Sequence, residues 1–570
     1  MKKIEGRGVS SGCVVAPVYP YVPCLYTAED TPAAESAEQA MERLQTAMDT
    51  ARAELEQLYE RLAETDKQNA AIFLAHIELL EDEAIAEDVA MSIEDGMNVE
   101  FAVQTVCDMY AAQLEKVEDP IIRERAADLR DVKNRLLRCL AGKAEQNLSV
   151  LEKQCIIVAK DLFPADTASM DRSKVLAIVT EEGSETSHSA ILARGFGIPA
   201  VVGAAGLMEQ VTADCLLAVD GSTGQLLLDP DEETCQSYRQ KQEAYLKGKQ
   251  ADEAYLGAAC ATADGVRIET HLNIAAAGGA ELDYAPYADG VGLFRSEFLY
   301  MNRTVLPSEE EQFAAYKSVL EHFKGKPVIL RTLDIGGDKQ VDCLPVRQEQ
   351  NPFLGIRALR LCFENLPLFR TQLRAALRAA AYGDLWLMLP MVGSIEEIRK
   401  AKAILVEERV ALYGQREEDA PPMKVGIMVE IPSIALCADM AAKEVDFASI
   451  GTNDLTQYLM AADRVDAAAS AYCHKYHPAL FRLIRTVAEA FAAAGKPLSV
   501  CGELGGDVLG APVLVGLGLR KLSMGGSALA GQKRRLAGFT LAQLQQLAAK
   551  VCACATAAEA EEEMKKAILI

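Results

Sequence analysis

The sequence contains no apolar run long enough to cross a bilayer. Its start, MKKIEGRGVS, has two lysines but lacks the apolar segment of a secretory signal. Of the 570 residues, 50% are hydrophobic and 25% are charged, which is typical of globular domains. We therefore predict a soluble, non-secreted protein that is long enough for several hydrophobic cores.

Regular cysteine spacing and an excess of positive charge are also missing. The fifteen cysteines are scattered, and Cys552 with Cys554 is the one close pair. This distribution favours reduced thiols in a cytoplasm over a disulfide framework or a zinc site. The formal net charge of -25 argues against a nucleic-acid partner. It indicates either a basic protein partner or solubility alone.

Residues 31–142 have the pattern of a helical bundle. Apolar residues recur at alternating steps of three and four, which places one stripe along a long helix: Met41, Leu44, Met48, Ala51, Leu55, Leu58 and Leu62. Further helical runs cover residues 69–93 and 99–117, and another starts at Pro120. We predict an antiparallel four-helix bundle. The acidic run 78–87, with His76 one turn earlier, is either a solvated face or a docking surface.

The flanking segments, residues 1–30 and 143–230, predict one small α/β domain into which the bundle is inserted. Short β-branched runs such as CIIVA, VLAIVT and CLLAVD are separated by turn residues. The alternation in residues 3–20 predicts an edge strand of the same domain. Residues 231–260 are polar and predict a helical linker, with Gly248 as a weak point. Such a linker would let two sites meet and part.

Residues 261–570 have the length and rhythm of a (β/α)8 barrel. The candidate strands are RIETHLNI, GVGLF, PVILRTLD, LWLMLPMV, KVGIMVE, FASIGTND, LSVCGE and KLSMG. Polar residues follow several of them, and strand ends of a barrel share one rim, so these residues should converge at one mouth. The predicted fold class is therefore a multidomain α/β protein with a carboxyl-terminal barrel.

The predicted rim suits an anionic ligand and a metal ion. Glu430 and Asp454 lie about one βα unit apart, and such carboxylates are the ligands that Mg²⁺ prefers; the alternative is a pair of strand-end salt bridges. A ligand with both phosphate and carboxylate groups would suit the planar guanidinium donors of Arg295, Arg331, Arg357 and Arg464. Each arginine taken alone could instead form an ion pair with a neighbouring acid.

Two further side chains are candidates for direct chemistry. His188, in EEGSETSHSAILARG, follows a turn and should lie in the first turn of a helix, where backbone N–H groups favour an anion. Its imidazole could attack phosphorus, although a capping or core histidine gives the same pattern. Cys501, in SVCGELGGD, is either a buried strand-end thiol or an acid that faces the cavity.

Several stretches resemble enzyme I of the bacterial phosphotransferase system, the phosphoenolpyruvate-protein phosphotransferase family. In chain order they are TSHSAILARGFGIPAVVG, GVGLFRSEFLYM, LRTLDIGGDK, NPFLGIRALR, GIMVEIPS, SIGTNDLTQYLMAADR and VCGELGGD. The bundle segments AIFLAHIELLEDE and RERAADLRDV extend the likeness to the first half of the chain.

The resemblance implies a role for each candidate residue. His188 would accept the phosphoryl group of phosphoenolpyruvate on Nε2 and pass it to a histidine of the small histidine-containing phosphocarrier protein. The other implied roles are substrate binding by Arg295, Arg331, Arg464, Asn453 and Asp454, Mg²⁺ binding by Glu430 and Asp454, and enolate protonation by Cys501 to give pyruvate. The resemblance also implies a homodimer through the barrel and docking of the carrier on the bundle. Because His188 and the rim belong to different domains, we expect the histidine domain to swing between two partners.

The chain also departs from the family pattern. Family members usually have two glycines and often a basic residue before Thr-Ser-His, whereas Ser184 and Glu185 follow Gly183 in this chain, so an acid lies near a histidine that must accept a dianion. The segment SMGGSALAGQKRRL departs from the usual last barrel loop. One alternative is a relative of pyruvate-phosphate dikinase and phosphoenolpyruvate synthase, but the Gly-rich phosphate loop of a nucleotide domain is missing. The other is a non-catalytic, regulatory phosphohistidine protein of the same fold.

Overall fold

The structure is a computed structural model that forms two compact units, Met1–Gly248 and Lys249–Ile570. Each unit is described by itself. The structure describes residues 2–569 except 22–27, 29–30, 32, 34, 64–66, 115–119, 143–147, 149–150, 152, 163–169, 171–172, 184–188, 191–192, 194–195, 214, 302, 304, 338–340, 342, 345–348, 417–419, 465 and 467.

The first unit contains a mixed eight-stranded sheet with the strand order β1-β8-β7-β3-β4-β5-β6-β2. The strands are β1 (Lys2–Glu5), β2 (Arg7–Ser10), β3 (Cys13–Tyr21), β4 (Cys155–Ala159), β5 (Val175–Thr180), β6 (Ala200–Val202), β7 (Leu216–Asp220) and β8 (Gln225–Leu228). The prediction of one edge strand in residues 3–20 is wrong. That segment forms three strands, and only β1 and β2 lie at the edges. β3 is central because Val14, Ala16 and Val18 are buried in the core of the sheet.

The helices between β3 and β4 are α1 (Ala37–Ala63), α2 (Lys67–Leu80), α3 (Glu83–Glu94), α4 (Val99–Leu114) and α5 (Pro120–Leu140). Leu44, Ala51 and Leu55 of the predicted stripe are buried in their common core. The predicted helix 69–93 is instead two helices. Asp82 separates them, because its carboxylate accepts hydrogen bonds from the N–H groups of Ala84 (3.0 Å) and Ile85 (3.2 Å) and so caps α3.

Helix α6 (Glu232–Leu256) follows β8 and runs unbroken through Gly248. The predicted linker segment is therefore helical. No helix among the described residues is long and apolar enough to span a membrane.

The second unit is a closed barrel of eight parallel strands, which confirms the predicted fold class. The strands are β9 (Glu269–Ile274), β10 (Gly290–Arg295), β11 (Val328–Arg331), β12 (Leu385–Leu389), β13 (Lys424–Val429), β14 (Phe447–Ile450), β15 (Leu498–Val500) and β16 (Lys521–Met524). Each lies within or overlaps one predicted strand. β9 pairs with both β10 and β16, which closes the barrel.

Helices cover the outside of the barrel. They are α7 (Glu309–His322), α8 (Leu359–Glu364), α9 (Leu366–Ala379), α10 (Ile395–Tyr413), α11 (Pro432–Leu436), α12 (Ala438–Glu444), α13 (Thr452–Met460), α14 (Pro478–Ala493), α15 (Gly510–Gly516), α16 (Gly526–Ala537), α17 (Leu541–Ala553) and α18 (Ala557–Ile568). Alternate strand residues pack outward against these helices in the largest core, and the others fill the lumen. The last lumen residue of each strand therefore lies near the carboxyl end of the barrel.

Candidate active site at the carboxyl end of the barrel

Two buried carboxylates form the centre of the candidate site. Glu430 directly follows β13 and is fully buried, and Asp454 lies in the first turn of α13 with only 6% of its surface exposed. Oε1 of Glu430 accepts a hydrogen bond from the N–H of Met391 at 2.6 Å. In the described part of the chain, Oε2 of Glu430 and Oδ1 of Asp454 have no hydrogen-bond donor. Buried acceptors without a donor are costly, so this pair is suited to a bound cation.

The local backbone brings these oxygens into place. Met391 has φ of 54°, a conformation that a side chain disfavours, and it aims its N–H at Glu430. A Cβ on Gly451 would lie 2.7 Å from Oε2 of Glu430, so only glycine leaves room for that oxygen. Burial, and then repulsion by Asp454 and Asp334, raises the pKa of Glu430. A cation between the acids would remove that repulsion.

Arg331 and Arg357 are both paired with Asp334, a third buried acid at this end of the barrel. Arg331 Nη1 is 3.0 Å from Asp334, and its Nη2 donates to Glu297. Arg357 Nη2 donates to Asp334 at 2.9 Å, and its Nη1 is 3.7 Å from Oδ1 of Asp454. Asp334 therefore bridges two guanidinium groups that are almost completely buried. Burial alone would lower the arginine pKa values, but the surrounding carboxylates raise them, so both groups stay charged.

Arg464 and Arg295 are more accessible than these two arginines. Arg464 Nη2 is 3.5 Å from Oδ1 of Asp454, and 29% of its side chain is exposed. Arg295, the last residue of β10, is exposed, and no carboxylate among the described residues pairs with it. Its guanidinium donors are available to an anionic ligand. Asn453 is half-buried. Its Oδ1 accepts a hydrogen bond from the N–H of Glu503 at 3.1 Å, and this bond joins the segments that follow β14 and β15.

Cys501 lies one residue beyond β15 and is 2% exposed. Its N–H donates to the carbonyl of Ile450 at 3.1 Å, and its side chain belongs to the lumen cluster with Met388 and Met428. Burial raises the pKa of its thiol to about 11, with a smaller contribution from Glu430. The group is therefore a protonated, buried thiol at the same end of the lumen as Glu430 and Arg331. The structure thus shows a buried thiol at a strand end, and the role of Cys501 as an acid stays a prediction.

Sequence reasoning missed two side chains that hold the arginines. Glu297 is buried and pairs with Arg331. Tyr458 Oη donates to the carbonyl of Phe353 at 2.6 Å and accepts a hydrogen bond from Arg357 at 3.4 Å. Two signals were available: Glu297 lies two residues after Arg295, and Tyr458 lies one helical turn after Asp454, so each is on the rim.

His188, Ser184 and Glu185 lie outside the described residues. Within the described ranges there is no group of three or more His, Cys, Asp or Glu side chains placed to hold a metal ion. Glu430 and Asp454 nevertheless fit Mg²⁺, because that ion binds one or two carboxylates and takes its other oxygens from water and substrate phosphate. This fit is supported by Oε2 of Glu430 and Oδ1 of Asp454, which have no hydrogen-bond donor among the described residues.

Family models identify the chain as a phosphoenolpyruvate-utilising enzyme. The model for the PEP-binding domain of these enzymes matches residues 249–541, the model for their N-terminal domain matches residues 5–125, and the model for their mobile domain matches residues 151–224.

Full-length relatives narrow the assignment. The phosphoenolpyruvate-protein phosphotransferase of Geobacillus stearothermophilus is 41% identical over 568 residues, which cover 99% of this chain and 98% of that protein. The enzyme of the same name from Bacillus subtilis (strain 168) is 40% identical over 561 residues, or 98% of each chain. A solution structure of an enzyme I protein is 34% identical and covers 42% of this chain and 99% of its own, with a TM-score of 0.38. The chain belongs to the phosphoenolpyruvate-protein phosphotransferase family of enzymes.

Proposed function

We propose that this chain transfers the phosphoryl group of phosphoenolpyruvate to His188 and then to a histidine of a small phosphocarrier protein. The reaction releases pyruvate and is the first step of the phosphotransferase system for sugar uptake. One observation carries the proposal: Oε2 of Glu430 and Oδ1 of Asp454 are buried and have no hydrogen-bond donor in the described part of the chain. The guanidinium groups of Arg357 and Arg464 lie 3.7 Å and 3.5 Å from that oxygen of Asp454. This arrangement suits a dianionic ligand together with a divalent cation.

The arginines would bind and orient phosphoenolpyruvate. Arg295 and Arg464 are the accessible cations, and Arg331 and Arg357 form the buried side of the site. Asn453 and Asp454 would complete the substrate contacts. Fixed guanidinium groups pair with phosphate and carboxylate in a planar geometry, and they spread the charge that moves during phosphoryl transfer. Because ion pairs already hold Arg331 and Arg357 in place, little reorganisation would be needed.

Glu430 and Asp454 would hold Mg²⁺. When bound, the ion neutralises negative charge on the phosphate oxygens. Oε1 of Glu430 is already fixed by Met391, so Oε2 is the oxygen left for the ion. Omission of Mg²⁺ should therefore lower both phosphoenolpyruvate binding and turnover.

Cys501 would supply the proton that completes the reaction. The bond from phosphorus to the enol oxygen breaks, and a bond from phosphorus to Nε2 of His188 forms. The enolate then takes the thiol proton of Cys501 at its terminal carbon, which gives pyruvate and a thiolate that solvent reprotonates. A thiol whose pKa is raised to about 11 is protonated at neutral pH, as this role requires.

Several partners and properties belong to the same proposal. The carrier protein would dock on the helices α1 to α5, a second copy would bind through the barrel, and the enzyme would act in the cytoplasm. The net charge of -25 suits a basic partner.

The swing of the histidine domain about the segment that forms α6 stays a prediction. A cross-link that immobilises it should block turnover and leave phosphoenolpyruvate binding intact.

The test is incubation with labelled phosphoenolpyruvate and Mg²⁺, with and without a carrier protein, followed by mass spectrometry of the chain. We expect one phosphohistidine at position 188 in the parent and none in His188→Ala. Cys501→Ala should form pyruvate slowly. His477→Asn is the matched control, because His477 caps α14 by accepting the N–H of Ala479 at 3.2 Å. An unmodified His188 in a protein that still binds phosphoenolpyruvate would falsify the proposal.

A further inference from the structure

The seam between β15 and β16 is short. One residue pair, Val500 with Leu522, joins these strands, whereas β16 pairs with β9 at four positions. Cys501 follows Val500, so its peptide lies beyond the end of this ladder. Its N–H is held on one side by the carbonyl of Ile450 in β14. The carbonyl of Cys501, on the other side, needs a hydrogen-bond donor from outside the ladder.

That contact comes from a side chain two strands away. Asn273 of β9 donates its Nδ2–H to the carbonyl oxygen of Cys501 at 3.1 Å. The hydroxyl of Ser523, in the intervening strand β16, donates to Oδ1 of Asn273 at 2.6 Å. Ser523 pairs with His271 in the β16–β9 register, so Asn273 lies two residues further along the same face of β9. The amide has a defined orientation because the carbonyl of Cys501 can only accept.

The residue after Cys501 makes this contact consequential. Gly502 is conformationally permissive, so the peptide between the two residues is weakly restrained by its own sequence. A Cβ at position 502 would lie 2.0 Å from Oγ1 of Thr452, so a stiffer residue cannot replace glycine there. The hydrogen bond from Asn273 restrains this peptide from outside, and the Cα of Cys501 is thereby held from both sides.

We propose that Asn273 is a positioning residue for the thiol of Cys501, and that Ser523 orients its amide. The inference rests on the proposed role of Cys501 as the proton donor. Asn273 acts through the carbonyl of Cys501 and fixes where the thiol lies relative to the terminal carbon of the enolate. Proton delivery is sensitive to such placement, since a displacement of about 1 Å can cost about 100-fold in rate.

Asn273→Asp is the sharpest substitution because it preserves size. The aspartate can still accept from Ser523, but it presents an acceptor to the carbonyl of Cys501 and the two oxygens repel each other. Ser523→Ala removes the orienting hydroxyl and leaves Asn273 in place. Ser499→Ala is the matched control: this buried lumen serine lies two residues before Cys501, and its hydroxyl donates to the carbonyl of Ala448 at 3.4 Å.

The hydrogen bond can be measured without turnover. Cys501–Gly502 is the single Cys-Gly dipeptide in the sequence, so a protein with ¹³C-carbonyl cysteine and ¹⁵N-glycine gives one correlated signal for that peptide. We expect the carbonyl signal to move upfield in Asn273→Asp, by less in Ser523→Ala, and not in Ser499→Ala. An unchanged signal in Asn273→Asp would overturn the proposal whatever the reaction of the protein is.

The positioning role is measured with stereospecifically deuterated phosphoenolpyruvate in tritiated water. The parent should give pyruvate with a chiral methyl group, because the proton reaches one face of the enolate. Asn273→Asp should lower kcat about 10- to 100-fold with little change in KM and give partly racemic methyl groups, as Cys501→Ala should. Ser499→Ala should match the parent.

The outcomes separate the two claims. A lower rate with the methyl group still fully chiral in Asn273→Asp would assign Asn273 a structural role only and overturn the proposal. If Asn273→Asp does not fold, the same two measurements on Ser523→Ala decide. A parent that forms no pyruvate would contradict the proposed function, and the carbonyl signal would still establish or remove the bond from Asn273.

Discussion

The two ends of the barrel lumen both contain charged side chains, but these side chains differ in burial and in how completely they are paired. At the amino end, Glu269 is paired with Lys521 at 2.8 Å and with Nε2 of His271 at 3.0 Å. Trp386 lies nearby, and its indole N–H donates to Asp384 at 2.8 Å. The hydrogen bond from His271, together with Lys521, lowers the pKa of Glu269 to about 2. This carboxylate is satisfied and partly solvated.

At the carboxyl end, Arg331 and Arg357 are almost completely buried together with the acids. Oε2 of Glu430 and Oδ1 of Asp454 lack donors among the described residues. The same fold thus pairs the carboxylate at the amino end and leaves two carboxylate oxygens without a donor at the carboxyl end, where a ligand would complete them. At the amino end, Nδ1 of His271 also has no hydrogen-bond partner among the described residues. This matches the division in barrel enzymes between a stabilising face and a reactive face. Buried carboxylate oxygens without a donor therefore distinguish the two ends better than the presence of charge does.

The largest effect is expected for Glu430→Gln. The glutamine carbonyl can still accept the N–H of Met391, but the negative charge is lost. We expect turnover to fall about 1,000-fold, the size of loss seen when one electrostatic group leaves an active site. The melting temperature should stay equal or rise, because repulsion among buried acids disappears. Glu503→Gln, an exposed acid on the same rim, is the control, and a clear fall in melting temperature for Glu430→Gln would contradict this account.

Asp334→Asn should reduce both stability and activity. It removes the shared partner of Arg331 and Arg357 and leaves two buried guanidinium groups poorly compensated. We expect a loss of about 3–5 kcal/mol in the free energy of unfolding of the barrel. Turnover should fall about 100-fold as the arginines shift. Calorimetry and kinetics test this, with the exposed acid Asp283→Asn as control; an unchanged stability would mean that Asp334 does not hold the pair.

Tyr458→Phe, also at the carboxyl end of the barrel, should reduce activity less than Glu430→Gln or Asp334→Asn. The phenol is the donor to the carbonyl of Phe353 and an acceptor for Arg357. Loss of about 1 kcal/mol of hydrogen bonding corresponds to about a fivefold to tenfold loss in kcat/KM. We expect most of the loss in KM for phosphoenolpyruvate, because Arg357 is placed among the binding groups. Tyr472→Phe, at a 71% exposed tyrosine, should change nothing, and equal effects of both variants would refute the assignment.

Glu269→Gln at the amino end should have the smallest effect on turnover, within about twofold of the parent, because it is remote from the reacting groups. Its folded-state pKa is lowered to about 2 from an ordinary value of 4.5. The pairing therefore stabilises the folded state fully above pH 4.5 and progressively less as the pH falls toward 2. The stability difference between parent and variant should be less than about 1 kcal/mol, since the pair is partly solvated, and should shrink in the same window. A large loss of turnover would break the comparison between the two ends.

The sequence predicted the barrel well because its strand signals are local. The eight strands are short segments rich in apolar residues, and polar residues follow several of them, so the pattern can be recognised without knowledge of the folded structure. The central position of β3 was not predictable in the same way. Residues 13–21 resemble an edge strand, and the partners that bury them, β4 and β7, lie more than a hundred residues further along the chain.

The candidate site was predicted in part. Glu430, Asp454, Arg295 and Arg331 could be named because each lies at or just after a strand signal, whereas Arg357 and Arg464 were named as guanidinium donors. The structure brings Arg357 and Arg464 to Asp454, and Arg331 to Asp334. Their roles in catalysis stay predictions. Glu297 and Tyr458 were missed because their contribution is a contact with an arginine rather than a motif. Asn273 was missed for the same reason, since its partner Cys501 is 228 residues away.

Trp386 is the single tryptophan of the chain and packs in the barrel lumen, 4.9 Å from the ring of Phe447. Tryptophan fluorescence therefore reports on one position in the second unit and on none in the first. A denaturation curve that follows this fluorescence would report the unfolding of the barrel, even when the helices α1 to α5 unfold under different conditions. The protein thus carries a built-in optical probe for one of its two units.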